Sequence, residues 1–408
     1  MGTLAITNIG KIISGDARKG ILEGDTVFIR DGMIEKIGWR SEMDVKAADD
    51  IIDVVGLTVT PGLIDPHTHP VIGDWTPRQK AFDWMEGAFH GGVTSMISQG
   101  AVHVQGRPTD PVGVKSLAIL GAKTSQNFRP GGFLKAHHGT VILERGLTEK
   151  DFKEMAENGV RYVAEIGGSG LYKPEDIKGM VAWARECAMV VPVHFGGESI
   201  PGSARVWSDI VLEVKPDVVV HLNGGSTAAP WEEIRKIIEE SDLPVEVIYN
   251  GNPKRMYQIV KLLKERDELH RLLIGSDSPI GIGMIPTAII RCVTQVASLN
   301  EIPAETAIAA ATGTTADVYK LNTGKIEAGR EADLLVMGAP KDSVAKDARE
   351  AFELGDTPAI GVMIVDGGIA TLKARNTNQL RAVIKINGQD VGTPSLHEYF
   401  FGMKSRLA

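Results

Sequence analysis

The middle of the chain alternates between two hydrophobic patterns. Between about residue 62 and residue 320, short apolar runs are followed by segments with the helical spacing of apolar positions. The pairs are VVVH (218–221) with PWEEIRKIIEE (230–240), PVEVIY (244–249) with the segment 252–269, and RLLIGSD (271–277) with the stretch after Met284. Strands that alternate with helices indicate parallel strands joined by helical crossovers. The pattern predicts an α/β domain.

At both ends of the chain, apolar and polar residues alternate with the two-residue period of β-strands. The segment DTVFIRDGMIEKIG (25–38) carries Asp31-Gly32 between two alternating runs, which predicts a hairpin. GVMIVDGGIA (361–370) predicts a second hairpin, and ADLLVM (332–337) predicts another short strand. These two all-β regions either pair into one small sandwich or form independent flaps.

Polar residues end the predicted strands of the middle region at regular intervals. Glu165 ends RYVAE, His194 ends VVPVH, His221 ends VVVH and Asp277 ends RLLIGSD, at intervals of 29, 27 and 56 residues. A βα unit of a barrel averages roughly 30 residues, so the last interval corresponds to two units. His67 precedes Glu165 by 98 residues, close to three units.

Further candidate strands complete the count between these residues. They are GVTSMIS (92–98), GFLKAH (132–137) and PVEVIY (244–249). Eight strands with a polar residue at the carboxyl end of strands one, four, five, six and eight predict a (β/α)₈ TIM barrel.

Composition and charge restrict the function. Hydrophobic residues make up 43% of the 408 residues, the net charge is −8 and the pI is about 5.8, so neither nucleic acid nor an anionic membrane is an expected partner. Cys187 and Cys292 are the only cysteines, which excludes a disulfide framework and a CxxC site. The start MGTLAITNIGKII lacks a signal-peptide pattern, and no apolar stretch reaches about 18 residues. A cytoplasmic protein with a small-molecule substrate is expected.

The strand-end residues form a set with metal-binding chemistry. His67 and His69 lie two positions apart, so both side chains of a strand can reach one ion. An HxH pair alone is weak evidence, because such residues are usually solvated or structural. In these barrels, however, the carboxyl ends of the strands converge on the active site. Four imidazoles and two carboxylates in one mouth favour a site for two divalent metals.

The same residues carry a family resemblance. PGLIDPHTH (61–69), VPVH (191–194), VVVH (218–221) and IGSD (274–277), in this order, resemble the amidohydrolase superfamily of metal-dependent hydrolases. Residues 311–337 are similar to that family's helix and its return into a β-domain. The resemblance implies a β-sandwich domain from 1–60 and 325–375 and a barrel from 61–324. Residues 376–408 are left as a C-terminal extension of unknown role.

The resemblance also implies roles for the strand-end residues. His67, His69 and Asp277 would bind one metal, and His194 and His221 the second. The bridging residue of strand four is most often a carboxylated lysine, whereas this chain has Glu165 there. Lys135 is rejected as the bridge because it precedes His194 by 59 residues, two barrel units rather than one.

The expected chemistry follows from the ions. Zinc is the expected metal at both positions, with ferrous iron as an alternative at one of them. Metal binding lowers the pKa of water from about 15.7 to about 7. Asp277 resembles the family's general base, which would take a proton from the attacking water and pass it to the departing nitrogen. The alternative is that Asp277 is a ligand only. The family implies a homotetramer or homodimer.

The substrate is implied by the resemblance alone. The strand-four glutamate and the segments around the ligands are most similar to the superfamily branch that hydrolyses the cyclic enamide 6-oxo-1,4,5,6-tetrahydronicotinate to 2-formylglutarate and ammonia during nicotinate degradation. Alternatives are a dihydropyrimidinase-like or imidazolone-hydrolase-like cyclic amidase, an N-acyl amino acid deacylase, and a scaffold without catalysis. His137 and His138 at the end of strand three, and Tyr249 at the end of strand seven, are candidate substrate contacts; the alternative for the histidines is a structural role.

Glu165 generates the first testable prediction. Glutamate supplies a negative charge and two oxygens without modification, so reconstitution of the metal-free protein with metal should not need bicarbonate. Metal uptake is measured with and without added bicarbonate in carbon-dioxide-depleted buffer. A marked bicarbonate requirement would count against Glu165 as the bridge.

Overall fold

A computed structural model describes residues 2–70, 78–100, 106–129, 132–198, 202–225, 228–279 and 283–391. Its N-terminal part is built of short strands. These are β1 (Thr3–Thr7), β2 (Lys11–Ile13), β3 (Ile21–Leu22), β4 (Thr26–Arg30), β5 (Met33–Gly38), β6 (Asp50–Asp53) and β7 (Thr58–Pro61). Single 3₁₀ turns at Arg40–Glu42 and Val45–Ala47 separate β5 from β6.

The central part alternates strands and helices, as the hydrophobic pattern predicts. The strands are β8 (Leu63–Thr68), β9 (Val93–Ser98), β10 (Lys135–His137), β11 (Thr140–Val141), β12 (Tyr162–Val163), β13 (Pro192–His194), β14 (Val218–Val220), β15 (Val245–Ile248) and β16 (Leu272–Gly275). The helices are α1 (Arg78–Phe89), α2 (Pro111–Asn127), α3 (Glu149–Glu157), α4 (Pro174–Glu186), α5 (Ser208–Val214), α6 (Trp231–Glu240), α7 (Pro253–Glu265), α8 (Ala288–Leu299), α9 (Ala304–Ala310) and α10 (Gly313–Tyr319). A 3₁₀ turn at Leu269–Arg271 leads into β16.

The C-terminal part returns to β-structure. Its elements are β17 (Leu334–Gly338), α11 (Ala348–Leu354), β18 (Ala359–Val365), β19 (Gly368–Thr371), β20 (Ile384–Ile386) and β21 (Gln389–Val391). Both chain ends contribute to two six-stranded sheets, with the orders β21-β20-β6-β1-β4-β5 and β19-β18-β17-β7-β2-β3. The C-terminal extension therefore has a structural part, because β20 pairs with β6 and adds two strands to the first sheet.

The two sheets enclose one core, and the second sheet shares another core with the barrel. Ile6 and Ile29 of the first sheet pack with Leu334 and Val336 of the second in a common buried cluster. The neighbouring β17 residues Leu335 and Met337 point to the opposite face, where they join the core around the barrel. Alternate side chains of this strand thus serve two cores, so its sequence is apolar throughout.

Two hairpins form where Asp-Gly pairs predict them. β4 and β5 pair antiparallel with Arg30 opposite Met33, and β18 and β19 pair with Val365 opposite Gly368. The two-residue loops have positive φ angles of 48° and 84° at Asp31 and Gly32, and 49° and 72° at Asp366 and Gly367. Such turns require left-handed backbone at both positions, which Asp and Gly tolerate.

The parallel strands of the central part form a closed barrel. β10-β9-β8, β11-β12 and β13-β14-β15-β16 are continuous sheet pieces. Parallel bridges join β8 to the eighth strand at Thr68–Ser278 and β12 to β13 at Ile166–Val193. The third barrel strand is broken at Gly139, which has a φ of 92°: β10 before the break pairs with β9, and β11 after it pairs with β12. This is the predicted (β/α)₈ barrel with a small β-sandwich.

Alternation along the barrel strands decides which side chains face inward. In β15, Val245 and Val247 belong to the cluster between the barrel and its helices, so Glu246 between them faces the interior. In β16, Leu272 and Ile274 face the helices, whereas Leu273 joins the interior cluster. Among the described residues, none of the helices combines the length and apolar composition needed to cross a bilayer.

Lys135 links the barrel to the β-domain. Its Nζ lies 2.7 Å from Glu331 Oε2 and 2.8 Å from Asp333 Oδ2, and it also contacts Asp366 Oδ1 at 2.6 Å. Burial by itself would lower the pKa of Lys135, but these carboxylates outweigh it and raise the pKa. Lys135 and Asp333 are buried whereas Glu331 and Asp366 are partly exposed, so Lys135 is engaged in a partly buried ion cluster.

Candidate metal centre

The six predicted ligands all lie at the carboxyl ends of barrel strands. His67 is the next-to-last residue of β8, and His194 is the last residue of β13. The others follow their strands by one or two residues: His69 after β8, Glu165 after β12, His221 after β14 and Asp277 after β16. All six side chains are buried; five of them form two groups of closely spaced donor atoms, and His194 Nδ1 lies 3.7 Å from Glu165 Oε2.

One group of donor atoms combines the HxH pair with Asp277. His69 Nε2 lies 3.1 Å from Asp277 Oδ1, and His67 Nε2 lies 3.6 Å from the same oxygen. The rings of the two histidines meet edge to face, with centroids 5.2 Å apart. The ligand atoms of these three residues all lie within 4.8 Å of one another, a spacing that one metal ion can span.

A second group is centred on Glu165. His221 Nε2 lies 3.1 Å from Glu165 Oε2, and His194 Nδ1 and His67 Nε2 lie 3.7 and 3.8 Å from the same oxygen. The other carboxylate oxygen, Oε1, lies 3.8 Å from His69 Nε2. Glu165 thus lies between the two groups, with Oε2 near His221, His194 and His67 and Oε1 near His69.

Two of the predicted ligands have an unusual backbone conformation. His221 and Asp277 have left-handed φ angles of 38° and 59°, which are costly for residues with a Cβ and are often found at functional sites. Asp277 N donates to His67 O at 3.0 Å, which ties the last barrel strand to the first. Gly168 lies against the Glu165 carboxylate, because a Cβ there would be 2.5 Å from Oε1.

Neighbouring charges shift the pKa values of the two carboxylates and of His67. Burial would raise the pKa of Glu165, but the nearby His194 ring, the hydrogen bond with His221 and the charge of His67 hold it well below its usual range. The pKa of Asp277 is likewise lowered, against the effect of burial, by His67 and His69. Burial would lower the pKa of His67, but the negative charges of Glu246, Asp277 and Glu165 raise it to about 10.

Two buried carboxylates support the ligands and were missed from the sequence. Glu246 Oε2 accepts from His67 Nδ1 at 2.8 Å and from the backbone N–H of His221 at 3.0 Å. Asp65 Oδ1 accepts from His67 N at 3.2 Å and from Ser276 N at 3.1 Å, and burial raises the Asp65 pKa to about 7. The available signal was a charged residue inside an apolar strand, as in Val-Glu-Val of β15.

The surroundings of the three candidate substrate contacts differ from those of the predicted metal ligands. Tyr249 packs against the outer core, with the guanidinium of Arg291 5.4 Å from its ring centroid. The ring of His138 lies 6.4 Å from that of Phe128, and the pKa of His138 is lowered to about 4 by burial. The pKa of His137 is also lowered to about 4, by burial and by Lys135 and Arg129. Their roles in substrate binding stay predictions.

The donor set fits divalent metal ions. Buried imidazole nitrogens and carboxylate oxygens are the ligands that zinc and ferrous iron prefer. His67 Nε2 is buried, points into both groups and has no hydrogen-bond partner among the described residues. Once its proton is displaced, this nitrogen offers a lone pair to a metal ion.

Comparison with known proteins places the chain in a family. It is 46% identical over 386 residues to enamidase from Eubacterium barkeri, covering 95% of this chain and all of that protein. A crystal structure of enamidase superposes with a TM-score of 0.90 over 94% of this chain and all of the other. The chain belongs to the amidohydrolase superfamily. The Amidohydrolase family model matches residues 250–370, and the prediction that this amidohydrolase is an enzyme of the hydrolase class is confirmed.

Other known proteins resemble part of the chain or its fold. Imidazolonepropionase from Bacillus cytotoxicus is 38% identical over 81 residues, which is 17% of this chain and 19% of that protein. The β-aspartyl dipeptidase structure from Fervidobacterium islandicum has a TM-score of 0.63 at 18% identity, covering 93% of this amidohydrolase and 98% of the dipeptidase, which supports the fold alone.

The raised pKa of His67 predicts how metal binding depends on pH. In the metal-free amidohydrolase, protonated His67 stabilises the fold fully below its ordinary pKa of 6.5, and this contribution is lost as the pH rises through about 10. Because an ion must displace this proton, zinc affinity should rise with pH between these values and binding should release protons. Calorimetric zinc titrations at pH 7.5, in two buffers of different ionisation enthalpy, measure the release. Heats that are independent of the buffer would contradict this assignment.

Proposed function

We propose that the protein is an enamidase, which hydrolyses 6-oxo-1,4,5,6-tetrahydronicotinate to 2-formylglutarate and ammonia at a dinuclear metal centre. The observation that carries this proposal is the 46% identity to enamidase across the whole length of that protein, with a TM-score of 0.90 to its structure. The cluster around Glu165 supports it, because an unmodified carboxylate stands between the two groups of donor atoms.

The residues divide into two metal-binding sets. His67, His69 and Asp277 would hold one divalent ion, His194 and His221 the other, and Glu165 would bridge the pair. When bound, the ions lower the pKa of water and polarise the substrate carbonyl. We propose zinc for both, with ferrous iron as the alternative at one position, because imidazole and carboxylate suit both metals.

Asp277 would move the proton. Its lowered pKa keeps it a carboxylate at neutral pH, the form that accepts a proton from the attacking water. The same proton then goes to the ring nitrogen as the amide C–N bond breaks, which restores the carboxylate. One water molecule opens the ring to an enamine, and hydrolysis of that enamine by a second water releases ammonia and leaves the aldehyde.

We also propose partners, a cellular location and an oligomeric state for the enzyme. The net charge of −8 supports a small-molecule substrate and argues against nucleic acid or an anionic membrane as a partner. A cytoplasmic location and a homotetramer or homodimer are proposed on the resemblance to the superfamily.

A second candidate is an imidazolone hydrolase. The specific observation is the 38% identity to imidazolonepropionase, but it extends over only 81 residues. Imidazolones are also cyclic amides, so the same cluster would serve the same bond cleavage. The limited length of the match makes this the weaker candidate.

A substrate panel tests the proposal. Ammonia release from 6-oxo-1,4,5,6-tetrahydronicotinate is compared with turnover of a hydantoin, dihydrouracil, imidazolone propionate and an N-acetyl amino acid, the last followed by acetate release. Turnover is expected with the lactam acid and requires metal. Activity on hydantoin or dihydrouracil, but not on the lactam acid, would overturn the enamidase proposal.

The same assay tests the role of Asp277. Asp277→Asn keeps the size of the side chain but removes the proton acceptor, so kcat should fall by about 10²–10⁴-fold. Glu239→Gln, at an exposed position of α6, is the matched control and should keep full activity. Full turnover by Asp277→Asn would falsify its role as the base.

A further inference from the structure

Glu246 contacts one residue of each proposed metal-binding set. It lies inside β15, its side chain is fully buried, and its neighbours Val245 and Val247 point the other way into the outer core. One oxygen, Oε2, accepts from His67 Nδ1 at 2.8 Å and from His221 N at 3.0 Å. A single carboxylate oxygen therefore holds one residue from each metal-binding set.

The hydrogen bond to His67 determines which ring nitrogen faces the metals. A carboxylate only accepts hydrogen bonds, so His67 Nδ1 keeps its hydrogen and Nε2 is the nitrogen that gives up its proton when an ion binds. That Nε2 is the buried atom that points at Asp277 Oδ1 and Glu165 Oε2. Without the acceptor at Nδ1, the ring could rotate or adopt the other tautomer, and the lone pair would no longer be directed at the ion.

The contact with His221 acts on the backbone. His221 has a φ of 38°, a conformation that a residue with a Cβ adopts only when its surroundings hold it there. The N–H bond to Glu246 Oε2 is one such restraint. This restraint keeps His221 Nε2 at 3.1 Å from Glu165.

The environment of Glu246 is costly unless cations are close by. Its second oxygen, Oε1, has no hydrogen-bond partner among the described residues, and a Cβ on Gly275 would come within 2.2 Å of it. Burying a carboxylate with incomplete hydrogen bonding is unfavourable, and nearby positive charge offsets it. Divalent ions bound through His67 would supply that charge.

We propose that Glu246 is a positioning residue that orients His67 and His221 for metal binding. The inference rests on the proposed metal centre and adds a residue that does not itself touch the metal or the substrate. It predicts that changes at Glu246 weaken metal binding directly, rather than through a general loss of stability.

The test compares Glu246→Leu, Glu246→Gln and the control Glu239→Gln with the wild type. Leu fills a similar volume without an acceptor, whereas the Gln carbonyl can still accept from His67 Nδ1 but carries no charge. Zinc affinity is measured by competition with a chromophoric chelator, and unfolding temperatures are measured with and without zinc. We expect Glu246→Leu to weaken zinc binding by about 10–100-fold, with Glu246→Gln intermediate and Glu239→Gln unchanged.

The unfolding temperatures separate positioning from a structural role. If Glu246 orients the ligands, the increase in unfolding temperature on zinc binding shrinks in the order wild type, Gln, Leu. A structural residue would lower both temperatures equally and leave the increase and the zinc affinity unchanged, which would overturn this inference alone. If Glu246→Leu does not fold, the zinc affinity of Glu246→Gln decides in the same way. A wild-type protein that binds no zinc or ferrous iron would instead overturn the proposed metal centre, and this inference with it.

Discussion

The barrel mouth concentrates buried negative charge at one point, and the rest of the site depends on how that charge is balanced. Glu165, Asp277 and Glu246 lie within one cluster together with four histidines from the ends of three strands. Carboxylates removed from water must be paired or bind cations. In the metal-free protein nearby carboxylates raise the pKa values of His67 and His221, so protons on these imidazoles provide part of this balance. Divalent ions would replace those protons and convert the same groups into ligands.

The architecture supplies this concentration of charge and keeps it rigid. Closing the sheet brings the carboxyl ends of all barrel strands together, and the Asp277–His67 backbone bond joins the last strand to the first. The β-sandwich packs against the barrel through β17, and the ion pair of Lys135 with Asp333 also links the two domains. The chemistry is thus borne by strand ends on a scaffold whose cores are apolar.

The fold and the six strand-end side chains were predictable because both follow from patterns along the chain. Apolar runs that end in a polar residue recur at one barrel unit, and that spacing requires Glu165, rather than Lys135, beside His194. Glu246 was not predictable in this way, because it lies inside an apolar strand and its partners, His67 and His221, are distant in sequence. The orientation of the Tyr249 side chain could not be predicted either, because it depends on packing against Arg291 of α8. The pairing of β20 with β6 joins residues more than 300 positions apart and has only a weak apolar pattern.

The most direct test of the account is to locate the metals in crystals of the purified protein, by anomalous diffraction at the zinc and iron absorption edges together with elemental analysis. We expect two ions per chain, one bound by His67, His69 and Asp277 and the other by His194 and His221, with Glu165 between them. A protein without bound metal after loading, or ions bound away from these six side chains, would contradict the account.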